Sequence, residues 1–286
     1  MQLLRAHGIL GLFLLLSSNI AEAQVAAQVA PEPTVADGTA WYDVTEWGVE
    51  GRILPQQERL RWFDRLPASA QDTVTRNVWN LSRDSAGMMV RFATDSPSIH
   101  VHYRLLDANL SMPHMPATGV SGVDLYARDS EGIWRWVQVT RPTAQEVKAE
   151  MINGLAPGYR EYAAFLPLYN GVDSLHIGVA ADSRFAGLAP REKPIVFYGT
   201  SITHGACASR PGMVHTAILG RRLDRPVVNL GFSGNGKMDQ AVGAFMAQVD
   251  AAAYVIDCLP NMGPDQVTAK CIPLVTQLRA AKPQTP

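Results

Sequence analysis

The chain has 286 residues, of which 47% are hydrophobic and 18% are charged, so it can bury one large core or two ordinary ones. Its 25 basic and 26 acidic residues nearly balance, which gives a formal net charge of -1. No run of lysine and arginine forms a basic stripe, and this excludes nucleic acid and anionic membrane surfaces as expected partners.

The first 23 residues predict a signal peptide. Arg5 and His7 precede an apolar run over residues 8–16, which is too short to span a bilayer, and Ala21-Glu22-Ala23 offers small residues for signal peptidase. No later segment is long and apolar enough to cross a membrane. Because a signal peptide directs export, we expect a secreted or periplasmic protein. Residues 24–40 have no periodicity and are expected to form a flexible lead-in.

From Trp41 onward, short runs rich in β-branched and aromatic residues alternate with turn signals, and they predict an antiparallel β-sandwich over residues 41–188. The clearest strand pattern runs from Ser98 to Leu106, where apolar and polar residues alternate between two faces. Trp134 and Trp136 share one face of another predicted strand. Core packing is their expected role, and stacking on sugars is the alternative.

Over residues 189–286 the pattern changes to alternating strands and helices. Apolar runs at Ile195–Tyr198, Val227–Leu230 and Tyr254–Asp257 are each followed by a helical stretch. Strands that alternate with helices in this way predict an α/β domain with a parallel sheet.

One candidate catalytic residue follows each of these three runs. Ser201 comes after the first run, Gly234 after the second and Asn261 after the third. Because the carboxyl ends of parallel strands line a common crevice, we expect the three residues to meet there. A serine hydroxyl beside backbone and amide N–H donors suits acyl transfer, whereas Ser201 taken alone could simply cap a helix.

Ser, Gly and Asn at successive strand ends resemble the SGNH (GDSL-like) hydrolase superfamily. Gly122-Val-Asp-Leu-Tyr126, Cys207–Gly212 and Asp257–Met262 are similar to one branch, in which a sandwich with a Gly-x-Asp-Leu-Tyr motif precedes the hydrolase domain. The resemblance implies an N-terminal antiparallel β-sandwich followed by a flavodoxin-like three-layer α/β domain. It assigns Ser201 as the nucleophile, and the Ser201 N–H with Gly234 and Asn261 as the oxyanion hole. It also implies an exported esterase that removes acetyl or other acyl groups from carbohydrate without a metal or cofactor.

The family's last motif, Asp-x-x-His, has no counterpart here, because no histidine follows Asn261. Complete domains of this family contain further strands, so we expect a truncated chain that lacks its catalytic base and is inactive by itself. A shorter natural protein, or one that takes its base from elsewhere, is the alternative. A carbohydrate-binding protein without catalysis is the alternative interpretation.

Four other features remain as expectations. His204 is poorly placed to accept the Ser201 proton and is expected at the substrate or in solvent. His114, in the Met112–Pro116 loop, is a candidate substrate contact, with a purely structural loop as the alternative. Asp124 is expected to order a turn or a domain contact. The three cysteines cannot all pair, which leaves a Cys207–Cys258 bridge open, and none of their spacings resembles a zinc site.

Overall fold

The structure of the chain is a computed structural model in which residues 27–286 are described. The predicted signal peptide, residues 1–23, and the start of the predicted lead-in lie outside the described residues. Between residues 27 and 286, no helix combines the length and the apolar character that crossing a bilayer requires.

Residues 28–188 form eleven strands in two antiparallel sheets, with short helices in the connections. In chain order the strands are β1 (Gln28–Val29), β2 (Thr34–Ala36), β3 (Thr39–Asp43), β4 (Met89–Thr94), β5 (Ile99–Leu105), β6 (Asp124–Arg128), β7 (Trp134–Val139), β8 (Glu146–Ile152), β9 (Arg160–Phe165), β10 (Val172–Ala180) and β11 (Phe185–Leu188), and the α-helices are α1 (Arg76–Leu81) and α2 (Ala117–Val120). One sheet has the order β1-β11-β4-β9-β6-β7 and the other the order β2-β3-β10-β5-β8. The predicted antiparallel sandwich is confirmed.

The alternating pattern of β5 builds the sandwich core. Its apolar residues are buried and its polar residues are not, so the strand presents one face to the interior. Tyr103 on this strand shares the core with Phe92 and Tyr162 of the opposite sheet, whose rings stack with centroids 5.3 Å apart. Burial of each such side chain stabilises the fold by about 1.5–3 kcal/mol.

The flexible lead-in predicted at residues 24–40 is corrected over its described part, residues 27–40. In this segment β1 pairs with β11 and β2 pairs with β3, so one short strand is added at an edge of each sheet. Edge strands this short are held by backbone hydrogen bonds and need no alternation of apolar residues. Because that alternation is the sequence signal for a strand, these two strands were not predicted.

Residues 195–281 alternate strands and helices as predicted. The elements are β12 (Ile195–Gly199), α3 (Ser201–His204), α4 (His215–Leu223), β13 (Val227–Gly231), α5 (Gln240–Met246), β14 (Ala253–Asp257) and α6 (Pro264–Ala281). The three strands are parallel in the order β13-β12-β14. Leu219 of α4 packs on one face of the sheet, while Val242 of α5 and Leu274 of α6 pack on the other. This is the three-layer arrangement expected of the α/β part.

The connection between β3 and β4 packs on the parallel sheet, although it lies within the predicted sandwich domain of residues 41–188. In the 53–79 segment of this connection, Ile53, Leu66 and Val78 are fully buried in the cluster that contains Val196 and Leu230. The segment therefore covers the same face of the sheet as α5 and α6. A boundary between residues 188 and 189 separates the antiparallel sheets from the parallel sheet. It does not separate the hydrophobic cores, because the core around the parallel sheet contains residues from both sides of this boundary.

Candidate active site

The carboxyl ends of the three parallel strands lie side by side. Gly199, the last residue of β12, is in register with Gly231 of β13 and with Asp257 of β14. Ser201, Gly234 and Asn261 lie on the connections that follow these residues. The loops that carry the three candidate groups therefore leave the same edge of the sheet.

Ser201 is the first residue of α3 and is partly exposed. The hydroxyl oxygen of Thr200 caps this helix by accepting a hydrogen bond from the Ile202 N–H at 3.3 Å. Thr200 thus fills the capping role that was the alternative for Ser201. The first N–H groups of a helix have no partner within it, so the Ser201 N–H is a candidate oxyanion donor.

Gly234 occupies a turn with a positive φ of 68°. The Phe232 carbonyl oxygen closes this turn by accepting hydrogen bonds from the Asn235 and Gly236 N–H groups, each at 2.8 Å. A methyl group added at Gly234 would meet no atom within 4 Å. The turn is therefore open on this side, and a ligand could approach the backbone there.

Side-chain hydrogen bonds join the three loops to one another. The Asn261 amide donates to the Gly236 carbonyl at 3.3 Å, which ties the third loop to the Gly234 turn. The Thr203 hydroxyl donates to an Asp257 carboxylate oxygen at 3.0 Å, and the Asn229 amide donates to the Thr203 carbonyl at 2.6 Å. These bonds hold the ends of β12, β13 and β14 as one unit.

His204 is fully buried, and this corrects its expected place at the substrate or in solvent. The side chain is 0% exposed, its ring stacks on Tyr169 with centroids 4.1 Å apart, and Nε2 lies 3.3 Å from a carboxylate oxygen of Asp84. Burial lowers the pKa of His204, and the nearby Arg65 lowers it further, while Asp84 opposes the shift. The loop after β9 closes over α3 and covers the ring, a contact between distant parts of the chain that the sequence does not reveal.

His114 is exposed on a turn closed by a pair of hydrogen bonds between the backbones of Met112 and Met115. Met115 is buried against Val214, and Tyr169 packs on the same cluster. The loop is thereby anchored beside the chain that follows α3. A substrate contact by His114 stays a prediction.

Asp124 of the Gly-x-Asp-Leu-Tyr motif makes the domain contact that was one of its expected roles. Its carboxylate is 0% exposed and accepts hydrogen bonds from the Gly212 N–H at 2.8 Å and from the Trp136 indole at 2.9 Å. Burial raises the pKa of Asp124 to about 6, although these hydrogen bonds and Arg210 oppose the shift. Gly212 fits this contact because an added methyl group would lie 2.7 Å from the Tyr126 hydroxyl.

The two tryptophans on β7 have different environments. Trp134 is partly buried and packs against the cluster that contains Met89 and Phe165. Trp136 is 49% exposed, and the Arg210 guanidinium lies over its ring at 4.6 Å from the centroid. Trp134 therefore packs in the core as expected, whereas Trp136 takes part in the contact around Asp124.

All three cysteines are unpaired, so the open Cys207–Cys258 bridge does not form. Cys258 is buried beneath the site, where its thiol donates to the Tyr198 carbonyl at 3.6 Å. Burial raises the pKa of this thiol to about 12. Cys258 is therefore a core residue rather than a reactive one.

Two residues of the N-terminal part reach the candidate site without having been predicted. The Tyr169 hydroxyl donates to the Ser201 carbonyl at 3.4 Å. Arg65 donates to the carbonyl groups of Asn229 and Gly231 at 2.8 and 3.0 Å. No local motif marks either residue, because both contacts join parts of the chain that are far apart in sequence.

Comparisons with known proteins agree with this fold. The GxDLY model, described as the N-terminus of SGNH-hydrolase-type esterases, matches residues 39–185, and the GDSL-like lipase/acylhydrolase model matches residues 192–286. A protein from Bacteroides ovatus described as a GDSL-like lipase is 33% identical, with a TM-score of 0.80 over 87% of this chain and 72% of that chain. No curated protein sequence matches the chain significantly.

Two more distant structures share the fold. The salicylyl-acyltransferase SsfX3 from a tetracycline biosynthetic pathway is 16% identical, with a TM-score of 0.66 over 92% of this chain and 72% of that chain. The acetyl xylan esterase Est2A from the rumen bacterium Butyrivibrio proteoclasticus is 11% identical, with a TM-score of 0.53 over 86% of this chain and 79% of that chain.

The antiparallel sheets, the parallel sheet and these matches define an SGNH-type hydrolase of the esterase or acylhydrolase class. The chain belongs to the GDSL-like lipase/acylhydrolase family, in the branch with an N-terminal GxDLY domain. The resemblance drawn from the strand-end residues is thereby confirmed.

Proposed function

We propose that the protein is an exported serine esterase that removes acetyl or other acyl groups from carbohydrate, with Ser201 as its nucleophile. The observation that carries this proposal is the common sheet edge from which the loops of Ser201, Gly234 and Asn261 leave, joined by the Asn261 hydrogen bond to Gly236. The carbohydrate class is taken from the acetyl xylan esterase that shares the fold and from the predicted signal peptide.

In the proposed reaction, Ser201 Oγ attacks the carbonyl carbon of the ester as its proton passes to a general base. The N–H groups of Ser201 and Gly234 and the Asn261 amide donate hydrogen bonds to the resulting oxyanion. The intermediate collapses to an acyl-enzyme as the base returns the proton to the leaving alcohol, and water then releases the acid.

The general base of this reaction would be a histidine of an Asp-x-x-His motif, and residues 262–286 contain no histidine. His204 cannot take this role, because its ring is fully buried under Tyr169.

Active-site labelling tests this assignment. A fluorophosphonate should modify the full product of the gene at Ser201, and this product should hydrolyse aryl acetates and acetylated xylan. Ser201→Ala should lose both properties, whereas Ser174→Ala, on the sandwich, should keep them. Labelling that persists in Ser201→Ala would refute the nucleophile. Xylan binding by a full product that neither labels nor hydrolyses would support the non-catalytic alternative.

A further inference from the structure

Arg65 is a fully buried cation whose hydrogen bonds go to backbone carbonyl groups. Its side chain is 0% exposed and lies in the 53–79 segment. Nε donates to the Asp84 carbonyl at 2.9 Å and Nη2 to the Leu81 carbonyl at 2.5 Å. Nη1 donates to the carbonyl oxygens of Asn229 at 2.8 Å and Gly231 at 3.0 Å. One side chain thus joins the connection before β4 to the end of β13.

This arrangement uses the charge and shape of arginine. Burial lowers the pKa of Arg65 to about 10, with Asp84 acting in the opposite direction, so the guanidinium stays charged at neutral pH. Burying a charge costs several kcal/mol, and the cost is offset only when its donors are well satisfied. The rigid guanidinium fork can hold several carbonyl groups in fixed directions at once, which the single ammonium of lysine cannot do.

The carbonyl groups that Arg65 holds at β13 stand directly before the Gly234 turn. Phe232, the next residue after Gly231, places its ring 5.1 Å from the Arg65 guanidinium. Asn229 also bonds through its amide to the Thr203 carbonyl of α3, the helix that begins with Ser201. Arg65 therefore fixes the point from which the Gly234 turn departs, close to the attachment of the nucleophile helix.

We infer that Arg65 is a positioning residue for the oxyanion hole, acting through the backbone of Asn229 and Gly231 on the N–H of Gly234. The inference rests on the proposed function and assigns part of the catalytic unit to the N-terminal half of the chain. Loss of the guanidinium leaves the turn free to shift, and a displacement of roughly 1 Å in such a site can lower a rate by about 100-fold.

The kinetic test compares Arg65→Met and Arg65→Lys with the full product of the gene, each assayed well below its Tm. We expect kcat to fall about 10- to 100-fold in Arg65→Met while KM changes little, because the oxyanion forms only after substrate has bound. Arg65→Lys should have a kcat between those of Arg65→Met and the wild type. Lysine keeps the positive charge, but its ammonium can reach fewer carbonyl groups than the guanidinium.

The matched control is Arg191→Met. Arg191 is also buried, with a side chain 5% exposed, but it pairs with Glu50 and Asp224 near the amino end of β12, away from the strand ends of the site. This variant should lose stability and keep kcat. An equal loss of kcat in the control would overturn the inference, because the effect would then reflect general destabilisation.

Hydrogen exchange gives a readout that does not depend on catalysis. The amides of residues 233–236 should exchange faster in the Arg65 variants than in Arg191→Met. Wild-type exchange and wild-type kcat in both Arg65 variants would overturn the inference. If the wild type is inactive, or if Ser201→Ala keeps its activity, the proposed function is wrong. The hydrogen-exchange result would then decide by itself whether Arg65 positions the Gly234 turn.

If neither Arg65 variant folds, Phe232→Leu removes the ring beside the guanidinium and keeps an apolar side chain. It should lower kcat several-fold and raise exchange in residues 233–236. Unchanged values of both would count against Arg65 as a positioning residue.

Discussion

Asp124 joins the two parts of the chain at the scale of a single residue. Its buried carboxylate receives hydrogen bonds from Gly212 and Trp136, and the Nε of Arg210 lies 3.5 Å away. These donors favour the ionised form, but burial disfavours it more strongly and raises the pKa from 3.8 to about 6. The stability of the protein should therefore depend on pH through this residue.

The sign of this dependence follows from linkage. An acid whose pKa is higher in the folded state binds its proton more tightly there, so its contribution is complete below pH 3.8 and is lost as the pH rises to about 6. At 1.36 kcal/mol per pKa unit, the contribution is at most about 3 kcal/mol. The unfolding free energy of the wild type minus that of Asp124→Asn, measured by urea denaturation, should therefore fall by up to this amount from pH 4 to pH 7.

Asp173→Asn provides the control. The Asp173 side chain is 50% exposed, and its carboxylate pairs weakly with Arg104, at a distance of 4.0 Å. Its difference from wild type should stay within about 0.5 kcal/mol at every pH. A wild-type to Asp124→Asn difference that does not change with pH would contradict the raised pKa.

At the scale of elements, the 53–79 segment shows that a chain segment need not pack with its neighbours in sequence. It leaves the sandwich after β3, covers one face of the parallel sheet and returns at β4. Leu66 and Val78 are buried there with Leu230, whereas Val101 of β5 belongs to the core between the two antiparallel sheets. The segment should therefore be stabilised together with β12 and β13 rather than with β5.

Two alanine variants separate these cores. Leu66→Ala should lower the unfolding free energy by about 2–5 kcal/mol and speed hydrogen exchange in β12 and β13 more than in β5. Val101→Ala should produce the opposite exchange pattern, since Val101 is fully buried in the other core. Leu60→Ala should change stability little, because that side chain is 56% exposed. Faster exchange confined to β5 in Leu66→Ala would contradict the packing.

For the whole molecule, the sandwich and the α/β part are joined by charges as well as by the Asp124 contact. Arg191, beside the β12 strand, pairs with Glu50 and with Asp224 at 2.8 Å each. Arg128 of β6 also reaches Asp224, at 3.1 Å, so the end of α4 is held from two directions. If the two parts separated, these ion pairs would break and leave charged groups without a partner. The cost of unpaired charge therefore favours a fixed arrangement of the two parts.

Gly212→Ala tests this arrangement at its tightest point. The added methyl group would lie 2.7 Å from the Tyr126 hydroxyl and 2.8 Å from an Asp124 carboxylate oxygen, so the two parts must move apart. We expect a loss of about 1–3 kcal/mol and faster proteolysis of the connection at residues 189–194. Gly263→Ala is the control, since a methyl group there meets no atom within 4 Å. Equal stability and equal proteolysis in the two variants would contradict a tight contact.

The local features of this protein could be predicted from its sequence. The alternation in β5, the strand-helix order after residue 188 and the placement of Ser201, Gly234 and Asn261 after successive strands all depend on neighbours along the chain. Periodicity and turn residues record such local relations directly. The family assignment followed from the same local motifs.

The tertiary structure decided every feature that depends on contacts between distant segments. Strand pairing placed β1 and β2 at sheet edges, and the loop after β9 buried His204 under Tyr169. Packing of the 53–79 segment put Arg65 behind the Gly234 turn, and Gly212 came to donate to Asp124 across the domain contact. A sequence records the chemistry of these groups, but their partners are set by burial and long-range pairing, which leave no periodic trace along the chain.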